Sequence, residues 1–285
     1  METKTLSPLR YPGGKSKAIK KIVSFIIPNI PKNKKVCSPF FGGGSIEIYL
    51  AKKGYQVYGY DAFQPLVDFW QVLLKDPSKL ASQVQKKLEL DENDFKNIQH
   101  NFKENYKNYT KLKRAYLFYV LNRTSYSGTT LSGGMATDNK KRSWKRINPR
   151  FDKKSVQRLR QFSGRNITIS KIDFRKSIPK HKYSLIYADP PYYIEKNKFY
   201  GNMGDMQFKQ QDHEDLAKIL KRRKRWILSY NNSKLVRELY SDFRIKKVRW
   251  AYGMTGTKAR GKQDSSEILV LSDDIKYDSV QKTLF

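Results

Sequence analysis

Short apolar runs that end on polar residues and give way to helical spacing recur along this chain. That rhythm restricts it to alternating β and α units built on a largely parallel sheet. Val36 to Phe40 reads as the first strand. Gly42-Gly43-Gly44-Ser45 then turns into a helix carrying Ile46, Ile48, Tyr49 and Leu50, which Gly54 stops. Gln56 to Tyr60 alternates as a second strand and ends at Asp61; Ile167 to Ile169, Tyr183 to Ala188 and Trp226 to Ser229 follow as strands, with helices over Asp212 to Leu220 and Lys234 to Tyr240. Ile245 to Tyr252 and Glu267 to Leu271 read as an antiparallel hairpin at one edge. Between Ala62 and Gly164 the rhythm breaks: helical segments such as Lys111 to Leu121 precede the turn-rich Ser125 to Asn139. The expected division is a main domain of residues 1–61 and 165–274, an inserted and mainly helical subdomain of 62–164, and a C-terminal tail of 275–285.

Charge limits the partners. Among 285 residues, 58 Lys and Arg face 26 Asp and Glu, a formal charge of +32 that repels itself in the folded state unless a polyanion neutralises it. Basic runs are spread over Lys32 to Lys35, Lys140 to Arg146, Lys153 to Arg160 and Lys221 to Arg225, so the body of the fold, not one detachable arm, is expected to face phosphate. The 19 Tyr, 15 Phe and 4 Trp add rings able to stack on bases, though most must be core. One cysteine, Cys37, excludes an internal disulfide and a cysteine-based metal site, and no metal is expected. No apolar run reaches membrane-spanning length and the N-terminus has no apolar signal stretch, so a cytoplasmic protein without a membrane partner is expected.

Two elements carry chemistry. Glycines after the first strand let a ligand approach the backbone, and the helix that follows offers unpaired N–H donors. Asp61 ends the next strand 17 residues after Gly44, where a carboxylate can accept both hydroxyls of a ribose. That combination fits a nucleoside cofactor, and by itself leaves a nicotinamide dinucleotide open. The second element is Asp189-Pro190-Pro191-Tyr192, directly behind an apolar strand. Its prolines fix the backbone and remove N–H donors, so the Asp189 carboxylate and the Pro190 carbonyl become rigid acceptors beside an aromatic ring, suited to an amino group on a flat heterocycle.

Arg10-Tyr11-Pro12-Gly13-Gly14-Lys15, Pro39-Phe40-Phe41-Gly42-Gly43-Gly44-Ser45 and Asp189-Pro190-Pro191-Tyr192, in that order, resemble the D12-class adenine-N6 DNA methyltransferases, the group that includes the Dam enzymes. The likeness extends to Leu121-Asn122-Arg123 with Tyr126 and Gly128, to Asp173-Phe174, to Phe208 with His213 and Leu216, and to Ser229-Tyr230-Asn231. It implies a Rossmann-like methyltransferase sheet with an antiparallel edge hairpin, and an insertion that recognises the target. It further implies that Tyr11, Gly14 and Lys15 help bind S-adenosylmethionine, Lys15 through the methionine carboxylate. Phe40, Gly42 and Gly44 would line the cofactor pocket, Asp61 would hold the ribose, and Asp173 with Phe174 would contact the adenine. Asp189, Pro190, Pro191 and Tyr192 would carry catalysis at the edge of that pocket, on an adenine flipped out of double-stranded DNA.

DNA contacts are expected from Arg123 and Tyr126, and from Lys140, Lys141, Arg142, Lys145 and Arg146, the basic run positioning phosphates and the turn around Tyr126 reading sequence. GATC-specific relatives have Tyr-Asn-Gly in this turn and an arginine three residues on. Here Ser127 and Leu131 stand at the Asn and Arg positions, so an arginine able to pair bidentately with guanine is missing. Ser38 also departs from relatives, which often have an acidic residue there to meet the methionine amino group. The final Gln281-Lys282-Thr283-Leu284-Phe285 resembles the Gln-x-x-Leu-Phe peptide that docks on bacterial sliding clamps, with packing on the enzyme's own body as the alternative. A cognate restriction endonuclease is the other protein partner such an enzyme would have. Rival readings are an RNA-adenine or cytosine-N4 methyltransferase, since the acceptor geometry suits any flat amino group, and a non-catalytic nucleic-acid binder on the same fold. Asp at 189 and the order of the motifs favour adenine, and intact Lys15, Asp61 and Asp189 speak against lost catalysis.

Overall fold

The computed structural model describes residues 6–136, 151–193, 208–248 and 267–277. Within them lie strands β1 (Lys35–Ser38), β2 (Gln56–Asp61), β3 (Ile167–Lys171), β4 (Leu185–Ala188), β5 (Trp226–Asn231), β6 (Arg244–Val248) and β7 (Glu267–Leu271). They form one sheet ordered β3-β2-β1-β4-β5-β7-β6. The first five neighbours run parallel, and β7 enters antiparallel between β5 and β6. The expected hairpin is therefore present as β6 and β7, but only β6 is at the edge. All five residues of β7 are buried, as are all four of β4, which is the pattern of strands covered on both faces.

Strand ends follow local chemistry. β1 stops at Ser38, two residues short of the expected Phe40, because Pro39 has no N–H for the ladder. β4 begins at Leu185 because Tyr183 is 70% exposed and the Ser184 N–H turns back to the His181 carbonyl at 3.0 Å. β3 continues to Lys171, in register with Asp61 of β2.

The helices are α1 (Ile19–Ile26), α2 (Ser45–Lys52), α3 (Gln64–Lys75), α4 (Pro77–Gln85), α5 (Glu92–Asn105), α6 (Lys111–Thr124), α7 (Lys153–Arg160), α8 (Phe174–Lys180), α9 (Gln210–Lys221) and α10 (Lys234–Leu239). Caps start several of them where the sequence places an Asp or Thr: Asp76 accepts from Lys79 N, Asp91 and Asp94 form a reciprocal box, and Thr110 accepts from Lys113 N. Alternate residues of each strand face opposite layers, as the period of two requires. Leu185 and Tyr187 join a core with α1, α3 and α6, including Phe25, Trp70 and Phe118. Ile186 and Ala188 join another with α8, α9 and α10, including Phe174, Leu216 and Tyr240. The first core continues without a break from the sheet into α4, α5 and α7 through Leu80, Phe102 and Val156. No helix among the described residues is long and apolar enough to cross a membrane.

Candidate active site

The carboxyl ends of β1, β2 and β4 open onto a cleft of about 290 Å³, at the lower bound of small-molecule sites. Its floor is the glycine loop between β1 and α2. Gly42 and Gly44 have φ of +48° and +67°, where a side chain would be strained. A Cβ on Gly43 would lie 2.8 Å from Tyr11 Cβ, and one on Gly42 would lie 2.9 Å from Tyr11 Cε1, so the loop is stripped of side chains partly to admit the protein's own Tyr11 ring. Asp61 is fixed by two backbone donors, Gly42 N to Oδ2 and Phe63 N to Oδ1, each at 3.0 Å. Burial raises its pKa, and those N–H groups partly offset the rise.

Across the cleft, Lys15 Nζ sits 2.8 Å from Asp189 Oδ1, 3.9 Å from Glu267 Oε2 and 4.8 Å from the centroid of the Tyr192 ring, and donates to the Gly13 carbonyl at 2.9 Å. The Lys15 ammonium is thus committed to the acceptor loop and its own turn. A third carboxylate belongs to the same set: Glu47, in the first turn of α2, is buried and accepts from Ser38 Oγ at 2.7 Å. Burial pushes Glu47 and Glu267 each up to about 7, and Asp189 upward in direction, with Lys15 pulling all three back. One ammonium among three shielded carboxylates leaves this end of the cleft attractive to further positive charge.

The far wall is aromatic. Phe40 packs on Phe174 with centroids 5.4 Å apart and on Phe208 at 5.6 Å. Asp173 caps α8 by accepting from Arg175 N at 2.8 Å and also pairs with the Arg175 guanidinium, while still lining the cleft. Behind the Asp-Pro-Pro-Tyr turn, Asn231 Nδ2 donates to the Tyr193 carbonyl at 2.9 Å, and His213 Nδ1 is bonded to the Tyr230 hydroxyl.

Tyr11, Gly14, Lys15, Phe40, Gly42, Gly44, Asp61, Asp173, Phe174, Asp189, Pro190, Pro191 and Tyr192, far apart in sequence, all line this one cleft. Residues 11–254 match the family model of the D12 class N6 adenine-specific DNA methyltransferases, most of the chain. The chain belongs to that family. It is also 28% identical over 271 residues to the Type II methyltransferase M.MjaIII of Methanocaldococcus jannaschii, covering 84% of this chain and 89% of that protein.

The methyltransferase sheet therefore places both expected chemical elements in one cleft, and Gly128 to Ser132 of the turn that follows Tyr126 line the same cleft. Tyr126 is 66% exposed on a turn in which Ser127 and Thr130 take positive φ. Arg123 is instead buried in the last turn of α6, where its charge complements the helix dipole, and Leu131 is buried at the cleft. Lys140, Lys141, Arg142, Lys145 and Arg146, and the Gln281–Phe285 tail, lie outside the described residues. Sequence reasoning passed over Glu47 and Glu267. The available signal was a lone carboxylate inside an apolar run, Ile46-Glu47-Ile48, and another at the head of Ile268 to Leu271.

Proposed function

We propose that this enzyme transfers the methyl group of S-adenosylmethionine to N6 of an adenine rotated out of double-stranded DNA. The observation that carries the reading is the position of Asp189: it closes β4 inside the same cleft as Asp61 and the glycine loop, 2.8 Å from Lys15. The cleft suits that donor, with a carboxylate for ribose hydroxyls at Asp61, rings for a purine at Phe40 and Phe174, and an acidic end beside Lys15. When bound, S-adenosylmethionine supplies a methyl group activated by a sulfonium. An adenine N6 in a stacked duplex cannot reach a protein cleft, so the nucleotide must swing outward, and Tyr192 offers a ring on which it can stack.

Asp189 and the Pro190 carbonyl then accept hydrogen bonds from the amino group, drawing its lone pair out of ring conjugation. Positive charge develops on N6 as it takes the methyl, the methyl C–S bond breaking to release the neutral thioether S-adenosylhomocysteine, and N6 then loses a proton; a fixed carboxylate therefore stabilises the transition state more than the ground state. Lys15 serves this by opposing the rise that burial imposes on Asp189. Residues 62–164 would act as the target-recognition insertion, with Tyr126 at its exposed turn and Lys153, Lys154 and Arg158 of α7 presenting charge to phosphates. The relative's designation as a Type II methyltransferase supports a DNA-modification role.

The test is transfer of radiolabelled methyl to duplex DNA and to RNA, followed by nucleoside analysis. Label is expected on adenine N6 of DNA, and Asp189→Ala should abolish transfer while the variant still binds S-adenosylmethionine. Label on cytosine or RNA, or near-normal transfer by Asp189→Ala, would overturn the assignment.

A further inference from the structure

Along the carboxyl edge of the sheet, the order β3-β2-β1-β4 sets out chemistry in sequence. Asp173 and Phe174 follow β3, Asp61 ends β2, Ser38 ends β1 and Asp189 follows β4. A ligand with its purine at the aromatic wall and its ribose on Asp61 must extend its remaining part past the end of β1, toward Asp189. What waits there is a carboxylate. Glu47 is 3% exposed, yet it lines the cleft, and its Oε1 is aimed by Ser38 Oγ at 2.7 Å. Ser38 cannot carry charge itself, but it is tied to a residue that does.

A carboxylate in that setting calls for a cation. Lys15, the cation among the described residues lining the cleft, is held 2.8 Å from Asp189 and 2.9 Å from the Gly13 carbonyl. The elements packed around Glu47 also present Asp189, whose charge opposes a carboxylate there, and Lys15, whose charge favours it but is already held by Asp189. Burial already pushes the Glu47 carboxyl up to about 7, so a bound cation would pay for its ionisation with a charge-assisted hydrogen bond. The amino-acid end of S-adenosylmethionine carries an α-ammonium of the required charge and donor number.

We infer that Glu47, presented from α2 and oriented by Ser38, is the acceptor that holds the α-ammonium of the methyl donor. This rests on S-adenosylmethionine being the donor. Glu47 would hold the donor's amino-acid end in a place where the strand end supplies only a hydroxyl.

Calorimetric titration of wild-type enzyme and Glu47→Gln with three probes tests it. S-adenosylmethionine and its decarboxylated form both keep the aliphatic amine, whereas 5′-dimethylsulfonio-5′-deoxyadenosine keeps the sulfonium but has neither that amine nor the carboxylate. Glu47→Gln should weaken both amine-bearing probes about 10- to 100-fold, the worth of one charge-assisted hydrogen bond, and leave 5′-dimethylsulfonio-5′-deoxyadenosine unchanged. Equal losses for all three, or loss for S-adenosylmethionine but not for its decarboxylated form, would overturn the role of Glu47. So would wild-type affinity throughout. Failure of the wild-type enzyme to bind S-adenosylmethionine would overturn the donor reading itself, a separate result. If Glu47→Gln does not fold, Ser38→Ala, which removes only the orienting hydroxyl, should show the same selectivity at several-fold size, and no selectivity would count against the inference.

Discussion

Asn122 and Arg10, 112 residues apart, are joined through both polar groups of one residue's backbone: Arg10 N donates to Asn122 Oδ1 at 2.9 Å, and Asn122 Nδ2 donates to the Arg10 carbonyl at 2.7 Å. The same amide nitrogen donates to the Gly128 carbonyl at 3.1 Å. One buried side chain on α6 therefore ties the loop that carries Tyr11 and Lys15 to the turn that carries Tyr126. Arg10 Nη1 adds a bond to the Ser125 carbonyl at 3.4 Å, so the segment that enters the cleft and the exposed turn are fastened to each other.

Asn122→Ala should consequently do more than loosen the core. It strands a backbone N–H and two carbonyls, a loss of about 2–4 kcal/mol by the usual cost of buried unsatisfied groups. Urea unfolding should show that loss, and affinity for S-adenosylmethionine and for duplex DNA should fall together. A variant within about 0.5 kcal/mol of wild type, the range of neutral surface changes, would mean that the fastening carries no weight.

Gly128 and Gly54 make a matched pair for the same joint. Both have positive φ, +78° and +86°. A Cβ on Gly128 would lie 2.0 Å from the Arg10 carbonyl oxygen, whereas one on Gly54 would meet nothing within 4 Å. Gly54→Ala should therefore cost about 1–2 kcal/mol from backbone strain alone. Gly128→Ala adds a clash with backbone that cannot move without breaking the Asn122 bonds, and should cost several times as much or prevent folding. Equal thermal melting temperatures for the two variants would contradict this.

The parallel part of the sheet was legible because its strands are continuous apolar runs, and the cleft because Asp61, the glycines and Asp189 each stand at a strand end. Strand limits at Pro39 and Tyr183 were missed because a proline and an exposed aromatic look apolar in a window that cannot see hydrogen bonds. Charge and neighbourhood assign Arg123 to DNA, whereas its burial in the last turn of α6 depends on packing that a sequence window does not show. Glu47 escaped notice for the opposite reason: its function depends on the Ser38 hydroxyl, which approaches it only once β1 and α2 are packed.

Cys37 gives a clean readout of core integrity because the chain has one cysteine. It is fully buried in β1, and burial pushes its thiol up to about 12. At pH 8 the thiolate fraction is on the order of 1 in 10,000, before access is considered. Native enzyme should release no colour with a thiol-disulfide reagent over an hour, and one equivalent in 6 M guanidinium, a concentration chosen as roughly that needed to unfold even hyperstable domains. Full reaction of native protein would show that β1 opens readily.

The buried carboxyls around Lys15 contribute to the pH dependence of stability. Glu47 and Glu267 are each held at about 7 in the fold, against an ordinary value near 4.5. Between those values the native state binds more protons than the unfolded chain, so each group takes stability away as pH rises from about 4.5 to about 7, with no further change above. His213 acts in the reverse direction, because burial lowers it to about 4 and the fold must exclude its charged form as pH falls below about 6.5. The bare profile of the wild-type enzyme mixes these slopes. The difference between Glu47→Gln and wild type cancels His213 and isolates the carboxylate together with its coupling to Asp189 and Lys15. That difference should move in favour of the variant by about 2 kcal/mol between pH 5 and pH 7.5, following the free-energy equivalent of a shift in proton affinity, and then level off. Urea unfolding at half-unit pH steps measures it directly, and parallel profiles for the two proteins would show that Glu47 is already ionised without a ligand.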